Sequence, residues 1–214
     1  MNAVLFDLDG VLVDSRAAIS GAMNHALAAN GFPQRPEAEL YRFIGPPLAL
    51  GFAELTGQPA DSAVVVACIT GYRERYAVTS VTDTKVFPGI AEALDELAQH
   101  HRLAVATSKT LALAEPLLAG LDLRERFAAV AGPDLSAHAE DKATTIGAAL
   151  AALDVERGVM IGDRSFDVVG ARANGLAAVG VTWGIGSAEE LADADAIVDA
   201  PADLPAIVDT LLPD

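Results

Sequence analysis

Ala3-Val4-Leu5-Phe6-Asp7-Leu8-Asp9-Gly10-Val11-Leu12-Val13-Asp14-Ser15 decides how the rest of the chain is read. An apolar run, Ala3 to Phe6, ends abruptly in two aspartates spaced i, i+2. A run this short, without alternation, suits a buried strand of a parallel sheet. Ligands of such sheets bind beyond the carboxyl ends of the strands, which puts Asp7 and Asp9 at the mouth of a site. Two carboxylates so close together are costly to bury unless a cation or a shared proton offsets their repulsion. Magnesium fits, because it takes hard oxygen ligands and joins protein carboxylates to phosphates. The plain alternative is that both aspartates end a strand and cap the next helix.

Outward from this stretch, short apolar segments alternate with helix-like ones. Strands are expected at Arg102 to Ala106, Phe127 to Ala131, Gly158 to Ile161, Ala177 to Val181 and Ala194 to Val198. Helices are expected at Ile90 to Gln99, Leu111 to Leu118, Lys142 to Leu153 and Phe166 to Asn174, the last closed by Gly175. Strands alternating with helices imply an α/β fold, a mainly parallel sheet with helices on both faces.

Residues 15–82 break the alternation. Ala17 to Ala29, Pro36 to Phe43, Leu48 to Thr56 and Ala60 to Tyr76 all read as helical. The chain carries a formal net charge of −16, yet residues 15–80 hold five arginines, five acids and no lysine. The neutral balance and helix density mark an all-helical insertion after the first strand, with residues 1–14 and 83–214 forming the core.

The acidic surface makes nucleic acid and anionic membrane poor partners. Of 214 residues, 52% are hydrophobic, enough for a sizeable core, and no apolar run is long enough to span a bilayer. Nothing at the amino terminus resembles a signal peptide. The single cysteine, Cys68, lies in an apolar run and reads as core packing. A cytoplasmic protein, monomer or homodimer, is the expectation.

Four expected strand ends or helix starts carry complementary polar groups: Asp7 with Asp9, Thr107 with Ser108 and Lys109, Lys142, and Asp163 with Asp167. If they converge, they supply carboxylates, a hydroxyl and an ammonium, the equipment for phosphoryl transfer through an aspartyl phosphate. Taken singly, Thr107 could cap a helix, Lys142 could be a solvated surface charge, and Asp167 could be a helix N-terminal acid.

Together these segments resemble the haloacid dehalogenase superfamily, nearly end to end. Asp7 to Ser15 resembles its first motif, Val105-Ala106-Thr107-Ser108-Lys109 its second and Lys142 its third. Ile161-Gly162-Asp163-Arg164-Ser165-Phe166-Asp167, continuing through Gly170 to Gly175, resembles its fourth. The resemblance implies a Rossmann-like core with a helical cap inserted after the first strand. It implies that Asp7 is the nucleophile and a Mg²⁺ ligand. Asp9 would be the general acid/base, its backbone carbonyl also on the metal. Thr107, Ser108, Lys142 and Gly10 would hold the phosphate, and Asp163 and Asp167 would complete the metal site.

An acid at position 9 argues for phosphoryl chemistry over dehalogenation, and the absence of lysine from residues 15–80 argues against a Schiff-base phosphonate cleavage. The Tyr41 to Leu48 segment is similar to the phosphoglycolate phosphatase and 5′-nucleotidase-like branches. The expectation is therefore a phosphatase acting on a small phosphorylated metabolite, with Arg42, Gly45 and Lys109 as substrate-facing candidates. A β-phosphoglucomutase-like phosphomutase and a catalytically silent phosphate-binding module are the alternatives.

Overall fold

The computed structural model describes residues 2–134 and 141–213. In chain order the elements are β1 (Ala3–Phe6), β2 (Val13–Asp14), α1 (Arg16–Ala29), α2 (Glu37–Leu40), α3 (Leu48–Thr56) and α4 (Ala63–Asp83). There follow β3 (Lys85–Val86), α5 (Ile90–Leu97), β4 (Arg102–Ala106), α6 (Leu111–Gly120), β5 (Ala129–Ala131) and α7 (Lys142–Leu153). The chain closes with β6 (Gly158–Gly162), α8 (Ser165–Ala173), β7 (Ala177–Val181), β8 (Ala196–Val198) and α9 (Leu204–Leu211).

Six strands form one sheet in the order β5-β4-β1-β6-β7-β8, and every pairing in it is parallel. β1 lies in the middle, with Phe6 opposite Val105 of β4 on one side and Ile161 of β6 on the other. The chain builds outward from β1 through β4 and β5, then returns to build the other half from β6. β1 and β6 thus flank the point where strand order reverses, the place where such sheets bind ligands.

Side chains of successive strand residues point to opposite faces. Val4, Phe6, Val105, Val159, Ile161, Val179 and Val181 pack in one layer with Ile90, Leu94 and Leu97 of α5, Leu117 and Leu118 of α6, and Leu204 and Val208 of α9. Ala3, Leu5, Ala104, Ala106, Met160 and Ala178 pack in the other with Ile146, Ala149 and Leu153 of α7 and Val168 and Ala171 of α8. The second face is rich in alanine, which lets α7 and α8 approach the sheet closely. Phe6 and Phe127 meet edge to face with ring centroids 6.0 Å apart.

The chain divides into two compact units, Met1–Asp14 with Val86–Asp214, and Ser15–Lys85. Helix α4 runs to Asp83, so the helical unit extends past residue 82. Ser62 caps α4, its hydroxyl accepting from the Val65 N–H at 3.3 Å. Val65, Cys68, Tyr72 and Tyr76 form the buried stripe of α4, at helical spacing, and α1 buries Ile19, Met23, Ala26 and Leu27. Cys68 is a buried free thiol, as its apolar setting led us to expect. The expected helix from Pro36 to Phe43 is instead α2 followed by a 3₁₀ turn over Tyr41–Phe43. Among the described residues, no helix is long and apolar enough to cross a membrane.

Candidate active site

Asp7 stands one residue beyond β1, where its N–H donates to the Ile161 carbonyl at 3.0 Å and continues the ladder. The chain then turns tightly. The N–H groups of Leu12 and Val13 both donate to the Leu8 carbonyl at 3.1 Å, and the Gly10 N–H donates to the Val13 carbonyl at 2.9 Å. Gly10 has φ +88°, a conformation costly for any residue with a Cβ. A Cβ here would also collide with the Asp163 carboxylate.

Lys142 is the first residue of α7, which Asp141 caps by accepting from the Thr144 N–H at 2.7 Å. Its side chain is 5% exposed, and its Nζ lies 2.8 Å from Asp7 Oδ1 and 2.8 Å from Asp167 Oδ1. Gly170 on α8 leaves room for the aliphatic stem, since a Cβ there would lie 3.1 Å from Lys142 Cγ. Asp167, in the first turn of α8, also accepts from the Arg164 N–H at 3.1 Å through Oδ2. Its placement as a helix N-terminal acid and its placement in the site are therefore the same fact.

Asp163 is fully buried just after β6. Its Oδ2 accepts from the Ile185 N–H at 2.6 Å and the Gly186 N–H at 3.3 Å, whereas its Oδ1 is buried without a hydrogen-bond partner. Asp7, Asp163 and Asp167 each offer a carboxylate oxygen, all within 4.8 Å of one another. Asp7 and Asp167 share the ammonium of Lys142 while Asp163 is met by backbone N–H groups, so carboxylates outnumber the cation in this buried site. An all-oxygen donor set with an unsatisfied buried oxygen and that charge excess fits a hard divalent cation.

Asp9 lies beside this group but outside it. Its Oδ2 pairs with Lys109 Nζ at 2.9 Å. Thr107 is 1% exposed, and its hydroxyl accepts from the Lys109 N–H at 3.1 Å. Ser108 is exposed. The structure therefore brings together Asp7, Gly10, Lys142, Asp163 and Asp167, and joins Asp9 to the Thr107–Lys109 loop. Arg42 and Gly45 belong to the helical unit. Arg42 pairs with Glu54 and lies over the Phe43 ring at 4.5 Å, and Gly45 takes φ +102°.

Two features were missed in the sequence. One is the segment Trp183-Gly184-Ile185-Gly186, whose backbone holds Asp163 and whose Trp183 Nε1 donates to the Val11 carbonyl at 3.1 Å. A Cβ at Gly184 or Gly186 would collide with Asp163. The glycines spaced i, i+2 just after a strand were the available signal. The other is Glu190, which pairs with Arg164 Nε at 2.9 Å and accepts from Ser165, fastening the residues next to Asp163.

Burial pushes the Asp163 carboxyl up to about 7, reinforced by the charges of Asp167 and Asp7 and opposed by the two backbone donors. Burial likewise raises Asp7 to about 6, with Lys142 opposing and Asp167 and Asp9 adding to the rise. For Lys142, burial alone would lower the ammonium, but Asp167 and Asp7 outweigh it and hold it above the ordinary lysine range. Both aspartates bind protons more tightly folded than unfolded. That penalty on the ionised forms is absent below the ordinary value of 3.8 and complete above about 7. Lys142 changes nothing in this window, because its contribution is lost only above the ordinary value of 10.5. Metal-free protein is thus expected to melt at a lower temperature at pH 8 than at pH 5 in EDTA. The variant D163N should narrow that difference; an unchanged difference would remove Asp163 as its source.

The sequence and the fold have counterparts among known proteins. The model of the haloacid dehalogenase-like hydrolase family matches residues 4–181. A 5′-nucleotidase of Pseudomonas aeruginosa is 39% identical over 191 residues, covering 88% of this chain and 86% of its own. A phosphoglycolate phosphatase of Caulobacter vibrioides is 34% identical, with 98% and 91% covered. The crystal structure of a predicted phosphatase from Clostridium acetobutylicum superposes with a TM-score of 0.90 at 33% identity, covering 98% of this chain and 99% of that one. With a family model matched over most of its length and its fold shared nearly end to end, this chain belongs to the haloacid dehalogenase-like hydrolases.

Proposed function

We propose that the protein is a Mg²⁺-dependent phosphatase that hydrolyses a small phosphomonoester through an aspartyl phosphate on Asp7. The observation that carries this reading is Lys142 held 2.8 Å from both Asp7 and Asp167, which form one carboxylate group with Asp163, whose Oδ1 is buried and unsatisfied. The similarity to proteins named 5′-nucleotidase and phosphoglycolate phosphatase supports a phosphomonoester substrate.

In the first step a carboxylate oxygen of Asp7 bonds to phosphorus as the bond to the leaving oxygen breaks. Asp9 gives that oxygen its proton. In the second step a water oxygen bonds to phosphorus, the bond to Asp7 breaks, and Asp9 takes the water proton. Lys142 orients Asp7 and offsets phosphoryl charge, and the Thr107 hydroxyl, Ser108 and the Gly10 region hold the phosphoryl oxygens. Asp7, Asp163 and Asp167 would hold the cation, which when bound neutralises charge on the phosphate so that an anionic nucleophile can approach.

Chelation is therefore expected to abolish phosphate release from p-nitrophenyl phosphate and added Mg²⁺ to restore it, as read by a free-phosphate assay. Full activity in EDTA would overturn the metal assignment. A rearranged sugar phosphate in place of free phosphate would instead identify a mutase. Tight phosphate or vanadate binding without turnover on a broad phosphate panel would identify a binding module.

A further inference from the structure

The ion pair between Lys109 Nζ and Asp9 Oδ2 spans 2.9 Å, with side chains 6% and 13% exposed. An ion pair this enclosed adds little net stability, because desolvating both charges offsets their attraction. Its consequence is geometric. It engages one oxygen of Asp9, while the other, Oδ1, is buried and has no hydrogen-bond partner. The backbone beneath the lysine is fixed as well. The Thr107 N–H donates to the Ala131 carbonyl at 2.9 Å, and the Lys109 N–H donates to the Thr107 hydroxyl at 3.1 Å. Gly132, at the end of β5, braces the Lys109 carbonyl so closely that a Cβ there would lie 2.7 Å from it. Strand β5 thus supports the loop, the loop fixes Lys109, and Lys109 fixes Asp9.

We propose that Lys109 is a positioning residue for Asp9: by engaging Oδ2 it fixes the orientation of the carboxyl group that exchanges protons with the leaving group and with water. This inference rests on the phosphatase reading above. It also separates Lys109 from the substrate-contacting role expected from sequence. A lysine that bound substrate would act on KM; one that orients the acid/base acts on the proton-dependent steps.

The test uses the full chain with Mg²⁺ and two substrates, p-nitrophenyl phosphate, whose leaving group departs without a proton, and glycerol phosphate, whose leaving group needs one. For K109M, rapid mixing with p-nitrophenyl phosphate should show a burst of p-nitrophenol at the wild-type rate. Turnover after the burst should be slower by roughly 10–100-fold, part of the usual worth of general acid–base catalysis. On glycerol phosphate kcat should fall at least as far with no burst, KM should stay near wild type, and K109R should recover most of the loss. If K109M is poorly folded, K109Q is read in the same way. A raised KM at unchanged kcat, or burst and turnover falling together, would overturn the positioning role. D9N serves as the control. It should give the same pattern more strongly, and wild-type-like turnover in D9N would sink the acid/base assignment itself rather than Lys109 alone.

Discussion

D7N should lose about 10⁴–10⁶-fold in kcat on any phosphomonoester the protein hydrolyses, the scale of loss seen when a covalent nucleophile is removed. The amide is nearly the same size as the carboxylate but cannot form the phosphoryl bond at a useful rate. Folding should survive. Position 7 continues the β1 ladder through its backbone, and Lys142 keeps its ion pair with Asp167 when the Asp7 charge is gone. The measurement is steady-state phosphate release beside a thermal melt, together with acid-quench trapping of labelled phosphate on the wild-type chain and not on D7N. Retention of more than a few per cent of wild-type activity in purified D7N would remove Asp7 from the nucleophile's place.

The second large effect is expected at Lys142. In K142M the stem still fits beside Gly170, but Asp7 and Asp167 remain buried without the ammonium they shared. Removing one partner of a buried ion pair costs about 3–5 kcal/mol, because the remaining charge is left uncompensated. Here two carboxylates lose the same partner. Chemical denaturation in EDTA should show a loss of that size, and kcat should fall by at least about 10²-fold. Adding D167N to K142M should recover part of the stability and none of the activity, since it removes one stranded charge without restoring the cation. Strict additivity of the two substitutions in stability would mean that the pair is not coupled in the fold. The magnitudes decide between roles: a solvated surface lysine would cost no more than about 1 kcal/mol.

The legible parts of this fold were those where one local rule decides. Val4 to Phe6, Leu103 to Ala106 and Val159 to Ile161 are continuous apolar runs, and all are buried central strands. Asp163 and Asp167 were legible because a strand end followed by a helix start fixes where both point. Less legible were the places where tertiary structure outweighs local preference. Helix α4 continues through Val78, Thr79, Val81 and Thr82, poor helix formers, as far as Asp83. Helix α9 carries Pro205 in its first turn, a helix-start signal that sits among other prolines and is easily taken for loop. Within the site, the Lys109–Asp9 pair joins residues a hundred positions apart, and Glu190 reaches back across 26 positions to Arg164. No periodicity encodes such meetings; they follow from strand order.

The strand order also has a consequence for synthesis. β1 is made first, but both strands that hydrogen-bond to it, Arg102–Ala106 and Gly158–Gly162, are made after the whole of the helical unit. On the ribosome, Val4-Leu5-Phe6 therefore waits with both edges unpaired, an apolar tape open to other chains. Most of the unit that follows is α-helical, with local hydrogen bonds that can form at once. The vulnerable interval in the life of this protein is the one before residue 106 emerges, and its nascent chains should lean on chaperones most heavily there.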